Sequence, residues 1–304
     1  MLRATMPPAT RPRRPPHRAR AAGRVPAGFT LIELVVTLVL IGVLGATLAV
    51  FFKPAFDIYL AARSRAAITA DADQGLRLML RDVQSAVPNS IRAPGSECFE
   101  TVPTLGGGRY RRDTDIVTSG SAPVDTGSST TQFDVLTPLS TVPAVGDWVV
   151  VDNQNAGDVY TGSNRTEITA VATPNAAHGR HRIGVNAMQF PLGYEGARFA
   201  LVPNAQKAVF YVCSGASGTL DAQGNAPGRL VRLSNYGFNA ATPTSCPSAT
   251  GGDVVLTGVR ACRFVYEANQ GATQQSGFIS IQLELTRNGE TASLVVGAHV
   301  VNIP

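Results

Sequence analysis

The run from Phe29 to Phe52 constrains this chain more than any other stretch. Its 24 residues carry one ionisable side chain, Glu33. A helix rising about 1.5 Å per residue extends roughly 36 Å over that length, enough to cross a hydrocarbon core of about 30 Å. A carboxylate inside such a segment costs on the order of 2.5–3.5 kcal/mol on insertion scales, so Glu33 calls for a partner of opposite charge. The run is too long for a secretory signal peptide, whose apolar region spans about 7–15 residues, and no A-x-A-like site follows at Val50–Ala55.

The formal charge of +5 over 304 residues invites a nucleic-acid reading, but the charge is unevenly placed. Residues 1–28 hold seven arginines (Arg3, Arg11, Arg13, Arg14, Arg18, Arg20 and Arg24) and no acid. Subtracting those seven from +5 leaves −2 for everything after Gly28. The basic balance therefore belongs to a leader, which by the positive-inside rule stays cytoplasmic while the C-terminal part is exported. No nucleic-acid partner is expected. Cys98, Cys213, Cys246 and Cys262 all follow the apolar run. An even count in an oxidising compartment suggests disulfides. Of the three possible pairings, the expected one is Cys213–Cys246, closing an insertion, with Cys98–Cys262 tying the region after the helix to a late strand.

Beyond Lys53 and Pro54 the helical pattern resumes. Apolar residues at Ile58, Ala61, Ile68, Ala72, Leu76, Met79, Val83 and Val87 recur every three or four positions, with charges between them. One helix over Phe29–Val87 is predicted, ended by Pro88-Asn89. Residues 88–130 read mostly as loop, and Gly106-Gly107-Gly108 lacks the strand and helix that a phosphate loop needs. From Gln132 short β-type runs dominate: Phe133–Leu136, Trp148–Val151, Arg198–Val202, Ala208–Cys213, Leu230–Leu233, Cys262–Tyr266, Phe278–Thr286 and Ala292–Asn302. Asn288-Gly289 is a preferred two-residue hairpin turn. Its register pairs Arg287 with Glu290, Leu285 with Ala292, Leu283 with Leu294, Ile281 with Val296 and Ile279 with Ala298, putting one apolar face on a core. The fold class is α+β: a long N-terminal helix with an antiparallel sheet packed on its second half.

The heptapeptide G-F-T-L-I-E-L at Gly28–Leu34 resembles the type IV pilin signature. The resemblance implies that prepilin peptidase cuts after Gly28, that Phe29 becomes the N-methylated terminus, and that Glu33 docks on the N-terminal ammonium of a neighbouring subunit. It also implies a division into a cleaved leader (1–28), a transmembrane or filament-core helix (29–52), its amphipathic continuation (53–87) and a periplasmic β-rich domain (88–304). The stretches Ala72–Arg77, Arg81–Val83, Val87–Arg92, Gly107–Arg111, Gly146–Val151, Ala261–Tyr266 and Gly277–Pro304 are similar to the minor pilin-like proteins of mannose-sensitive haemagglutinin (MSHA) pilus biogenesis, the MshO type. That similarity implies a low-copy subunit that initiates or caps a filament. Its partners would be prepilin peptidase, other minor and major pilins, and inner-membrane lipid before assembly. The alternatives are a J-type minor pseudopilin of a type II secretion system, and a tip adhesin or DNA-uptake minor pilin.

Catalytic patterns are absent, and no enzyme is expected. His178 and His181 sit in a Gly/Arg loop read as solvated, and His299 faces Phe278 on the outer side of the hairpin. Asp152, Asn155 and Asp158 offer oxygen ligands in a loose calcium-type loop that lacks the alternating acids and terminal Glu of an EF-hand. Calcium is thus the one cofactor considered; otherwise none is expected. Asn164-Arg165-Thr166 matches a glycosylation sequon by chance. Arg109, Arg111 and Arg112 cluster, but Asp113 and Asp115 follow at once.

Overall fold

The computed structural model describes residues 28–192, 196–270 and 276–303, so the seven arginines between Arg3 and Arg24 lie outside the described residues. Helix α1 spans Leu31–Gln84. The boundary between the two compact units of the chain falls inside it, after Asp57. Thirteen strands follow among the described residues. In chain order they are β1 (Arg92–Gly95), β2 (Cys98–Thr101), β3 (Gly106–Arg109), β4 (Thr130–Val135), β5 (Trp148–Val151), β6 (Arg165–Ala172), β7 (His181–Met188), β8 (Arg198–Val202), β9 (Val209–Ser214), β10 (Gly228–Leu233), β11 (Asp253–Gln270), β12 (Ser276–Arg287) and β13 (Glu290–Val301). A single turn, α2 (Asp158–Thr161), separates β5 from β6.

The second unit is built on an antiparallel seven-stranded sheet of order β1-β2-β9-β10-β11-β12-β13. One face covers the last turns of α1, where Ile68, Ala72, Leu76, Met79 and Val83 are buried at the spacing of a helical stripe. The stripe starts later than the periodicity predicts: Ile58 is 70 % exposed, and burial begins at Ile68. Gly75 sits within this stripe because a Cβ there would fall 2.7 Å from the side chain of Leu256 on β11. Close approach of sheet to helix thus outweighs the roughly 1 kcal/mol that glycine costs a helix interior. The β12–β13 hairpin has the predicted register, from Arg287↔Glu290 to Ile279↔Ala298. Asn288 and Gly289 both adopt positive φ, 51° and 76°, as a type I′ turn requires.

Between the adjacent strands β2 and β9 the chain leaves the sheet and returns. The excursion holds a six-stranded antiparallel sheet of order β3-β8-β5-β6-β7-β4. Its two edges meet: Tyr110 bridges Val135, the Arg111 amide donates to the Asp134 carbonyl at 2.9 Å, and the Leu136 amide donates to the Arg109 carbonyl at 2.8 Å. The sheet therefore closes into a small barrel. Phe133, Val149, Val151, Ile168, Ile183, Phe199 and Leu201 fill it, and the rings of Phe133 and Phe199 meet edge to face with centroids 5.4 Å apart. Residues 88–130, expected to be mostly loop, supply three strands, and the glycine triplet is itself most of β3. A Cβ on Gly107 would collide with the Phe199 carbonyl of β8, so a run without side chains is what this pairing needs.

The barrel is anchored to the sheet through buried groups. Val87, Val102, Val150, Val159, Tyr160, Val202 and Ala208 form a core cluster at the junction. The Tyr160 hydroxyl donates to the Ser90 carbonyl at 2.7 Å, and the Arg92 guanidinium lies 3.4 Å over its ring while pairing with Glu100.

Both disulfides differ from the expected pairing. Cys98 is bonded to Cys246, and Cys213 to Cys262, with Cα–Cα separations of 5.6 and 6.5 Å. Strand alternation is the reason. Cys98 lies opposite Val212 in the β2–β9 ladder, so Cys213 points to the other face. Cys98 and Cys246 share one cluster with Phe210 and Val212. Cys213 and Cys262 belong to the main core over α1.

Candidate functional site

The N-terminal motif opens on an ordinary helix cap. Thr30 Oγ1 accepts from the Glu33 amide at 3.3 Å, and the Thr30 carbonyl accepts from the Leu34 amide at 3.1 Å. Glu33 therefore sits in the first turn of α1, where unpaired amides give the helix end a partial positive charge. Its carboxylate has no hydrogen-bonding or ionic partner among the described residues. Gly28 and Phe29 precede the helix in irregular, exposed chain, and a Cβ on Gly28 would meet nothing within 4 Å. Thr30 was not singled out as a cap from the sequence, although T-x-x-E ahead of an apolar run is the signal for one.

From Leu31 to Leu60 every residue of α1 is exposed, with Leu31 at 82 % and Phe51 at 77 %. A helix that is apolar all round is stable in water only when something covers it. This one is long and apolar enough to cross a membrane. Glu33 apart, the hydroxyls of Thr37 and Thr47 are satisfied along the helix, donating to the carbonyls of Leu34 and Leu44, each at 2.9 Å. Satisfaction within the segment is what lipid demands of a polar group. Lys53 and Asp57 end the stretch that carries no charge after Glu33.

The family model of the prokaryotic N-terminal methylation motif matches residues 24–49. The chain is type IV pilin-like. No curated protein and no solved structure matches it. A pilin-like chain with this signal is processed by prepilin peptidase and assembles with other pilins, and proteins of this kind are structural rather than catalytic. One apolar N-terminal helix with this motif is the arrangement of a single-pass membrane-anchored protein.

The other residues singled out in the sequence are dispersed by the fold of this pilin-like chain. Asp152 is buried just after β5, and its carboxylate accepts from the Tyr110 hydroxyl. Burial, with the Asp152 charge adding to it, pushes the Tyr110 phenol up to about 12. Asp158 instead accepts from the amide and side chain of Asn155, at 2.9 and 3.1 Å. The calcium-type triad is therefore divided between two separate hydrogen-bond sets, and no cluster of three or more His, Cys, Asp or Glu suited to a metal occurs among the described residues. His178 is not solvated as the loop composition suggests; it is 4 % exposed, with Nε2 3.2 Å from the Thr118 carbonyl. His181 opens β7. The Asn164 side chain of the sequon is buried and donates to Asn153 at 2.9 Å. Arg111 is tied to the carbonyls of Ala177 and His178, both at 2.9 Å, which removes it from any basic patch.

Proposed function

We propose that this protein is a minor pilin of the MSHA biogenesis type, a low-copy subunit that initiates or caps a type IV pilus and catalyses nothing. The observation that carries this reading is the inserted barrel. A head enlarged by a second closed sheet between β2 and β9 fits best at a filament position where lateral neighbours do not crowd it. In this reading the leader 1–28 is removed and Phe29 is methylated. Residues 29–52 lie first in the inner membrane and then in the filament core, 53–87 continue the helix, and 88–304 form the periplasmic head. The arginine-rich leader keeps the N-terminus cytoplasmic. Glu33, with no partner of its own among the described residues, receives the Phe29 ammonium of a neighbouring subunit. Two opposite charges in a medium of low dielectric offset each other's desolvation, whereas either alone is costly.

The test is N-terminal mass spectrometry of the membrane-extracted protein from a host with its prepilin peptidase, beside a Glu33→Val variant. The expected wild-type chain begins with N-methylated Phe29. Glu33→Val is expected to be processed normally but to drop out of sheared filaments. An intact leader in that host would overturn the reading. Quantitative immunoblots of sheared filaments check the minor role: few copies relative to the major subunit are expected, and near-equal amounts would refute it. A deletion that blocks type II secretion while filaments persist would make the chain a J-type pseudopilin instead.

A further inference from the structure

A cleft of about 360 Å³ opens where the barrel meets the end of the seven-stranded sheet. Val87 from the end of the helical region, Val150 on β5, Ala200 on β8, and Val301 and Ile303 at the chain's end line it with apolar surface. The volume lies within the range of small-ligand sites, and junctions between structural layers are where such sites gather.

Its charged groups are ordered by depth. Asp152 is 3 % exposed and lies in the floor, hydrogen-bonded by Tyr110. Arg109 and Arg198 are exposed and line the mouth. These two arginines are directly opposite each other in the β3–β8 ladder, so their side chains leave the same face about 5 Å apart at Cβ. Like charges in that position are destabilising. Among the described residues neither arginine has an ion-pair partner, although nine ion pairs occur elsewhere among them, from Arg65–Glu290 to Arg287–Asp71. Arg198 and Ala200 alternate on β8, and Ala200 lies opposite Val150. The arginine pair and the apolar wall are therefore on one face of the barrel.

We propose that this cleft binds a small anionic amphiphile. The apolar body packs on Val150, Ala200, Val301 and Ile303, and the acid group sits between the guanidinium groups of Arg109 and Arg198. Guanidinium groups take carboxylate or phosphate oxygens in pairs, and a bound anion relieves the repulsion between them. The buried carboxylate of Asp152 fixes the polarity, because a second anion is repelled from the floor and held at the mouth. A free medium-chain carboxylate and the acyl–phosphate end of an anionic lipid share this chemistry.

The test uses the full chain in phosphatidylcholine nanodiscs, with equilibrium dialysis of radiolabelled octanoate, 1-octanol and inorganic phosphate as separate probes and empty discs as the blank. Octanoate is expected to bind saturably, one per chain, with octanol and phosphate each about tenfold weaker or more, and R109Q/R198Q is expected to weaken octanoate about tenfold or more. Ala200→Trp, which fills the cleft and leaves both arginines, is expected to abolish octanoate binding while the two disulfides still form. Octanoate binding that is absent, unchanged in R109Q/R198Q, or matched by phosphate or octanol alone would overturn the proposal. Displacement of octanoate by dihexanoyl phosphatidylglycerol identifies a lipid as the source; failure to displace it assigns the cleft to free carboxylates.

Discussion

Asp82 lies near the end of α1, 4 % exposed, in a part of the helix where the sequence pattern puts it off the apolar stripe. Its Oδ2 accepts from the Tyr211 hydroxyl at 2.7 Å and from Arg232 Nε at 2.9 Å. One carboxylate thus ties the helix to β9 and β10 at once. Burial pushes the Tyr211 phenol up, and the adjacent carboxylate adds to that, so Tyr211 stays a donor across the physiological range. Removing one member of such a group leaves a buried charge without its partner, which costs about 3–5 kcal/mol. Asp82→Ala is accordingly expected to lower stability by about that amount in denaturant titration of the detergent-extracted protein. Arg77→Ala, which breaks only the exposed i,i+4 pair with Asp73, is expected to leave the midpoint where it was, because solvent screens that pair. Equal losses in the two variants would mean that Asp82 contributes no more than a surface charge.

Among the elements, those with strong local signals were legible and those without were not. The register of the β12–β13 hairpin was legible because Asn-Gly fixes the turn and four apolar pairs fix the face. Helix α1 was legible from its long apolar run and from the period of its second half. β3 was not, because three glycines and an arginine carry no alternation. β6 and β7 were missed for related reasons: a bulge between Ile168 and Ala170 breaks the alternation of β6, and β7 carries only two buried apolar residues, Ile183 and Val185, too short a pattern to stand out. The disulfide pairing was out of reach because it depends on which face of β9 each cysteine meets, and that follows from the β2–β9 register rather than from spacing. Peptide mapping under non-reducing conditions is expected to yield the Cys98–Cys246 and Cys213–Cys262 linked peptides. Recovery of Cys213–Cys246 would require β9 to be flipped relative to β2, and the sheet order with it.

At the scale of the molecule, the barrel is a guest in the sheet. Thr101 and Val209, the last paired residues of β2 and β9, face each other across the ladder, so the chain leaves and re-enters at one point. The intervening residues 102–208 include every strand of the barrel and none of the seven-stranded sheet. Replacing 102–208 by Asn-Gly would turn β2–β9 into a two-residue hairpin of the kind already present at Asn288-Gly289. The trimmed protein loses Tyr160 from above Arg92 and exposes Val87, but it keeps the helix stripe, the Asp82–Arg232–Tyr211 group and all four cysteines. It is expected to remain membrane-extractable with both disulfides formed, and to lose octanoate binding because Val150, Ala200 and both mouth arginines are gone. If head size is what restricts the subunit to few copies, the trimmed form should enter filaments in greater number than the wild type on quantitative immunoblots. Unchanged copy number with an intact sheet would detach the minor role from bulk and place it in the helix or in the remaining head surface. A trimmed chain that fails to form Cys98–Cys246 would show instead that the barrel supports the sheet it interrupts.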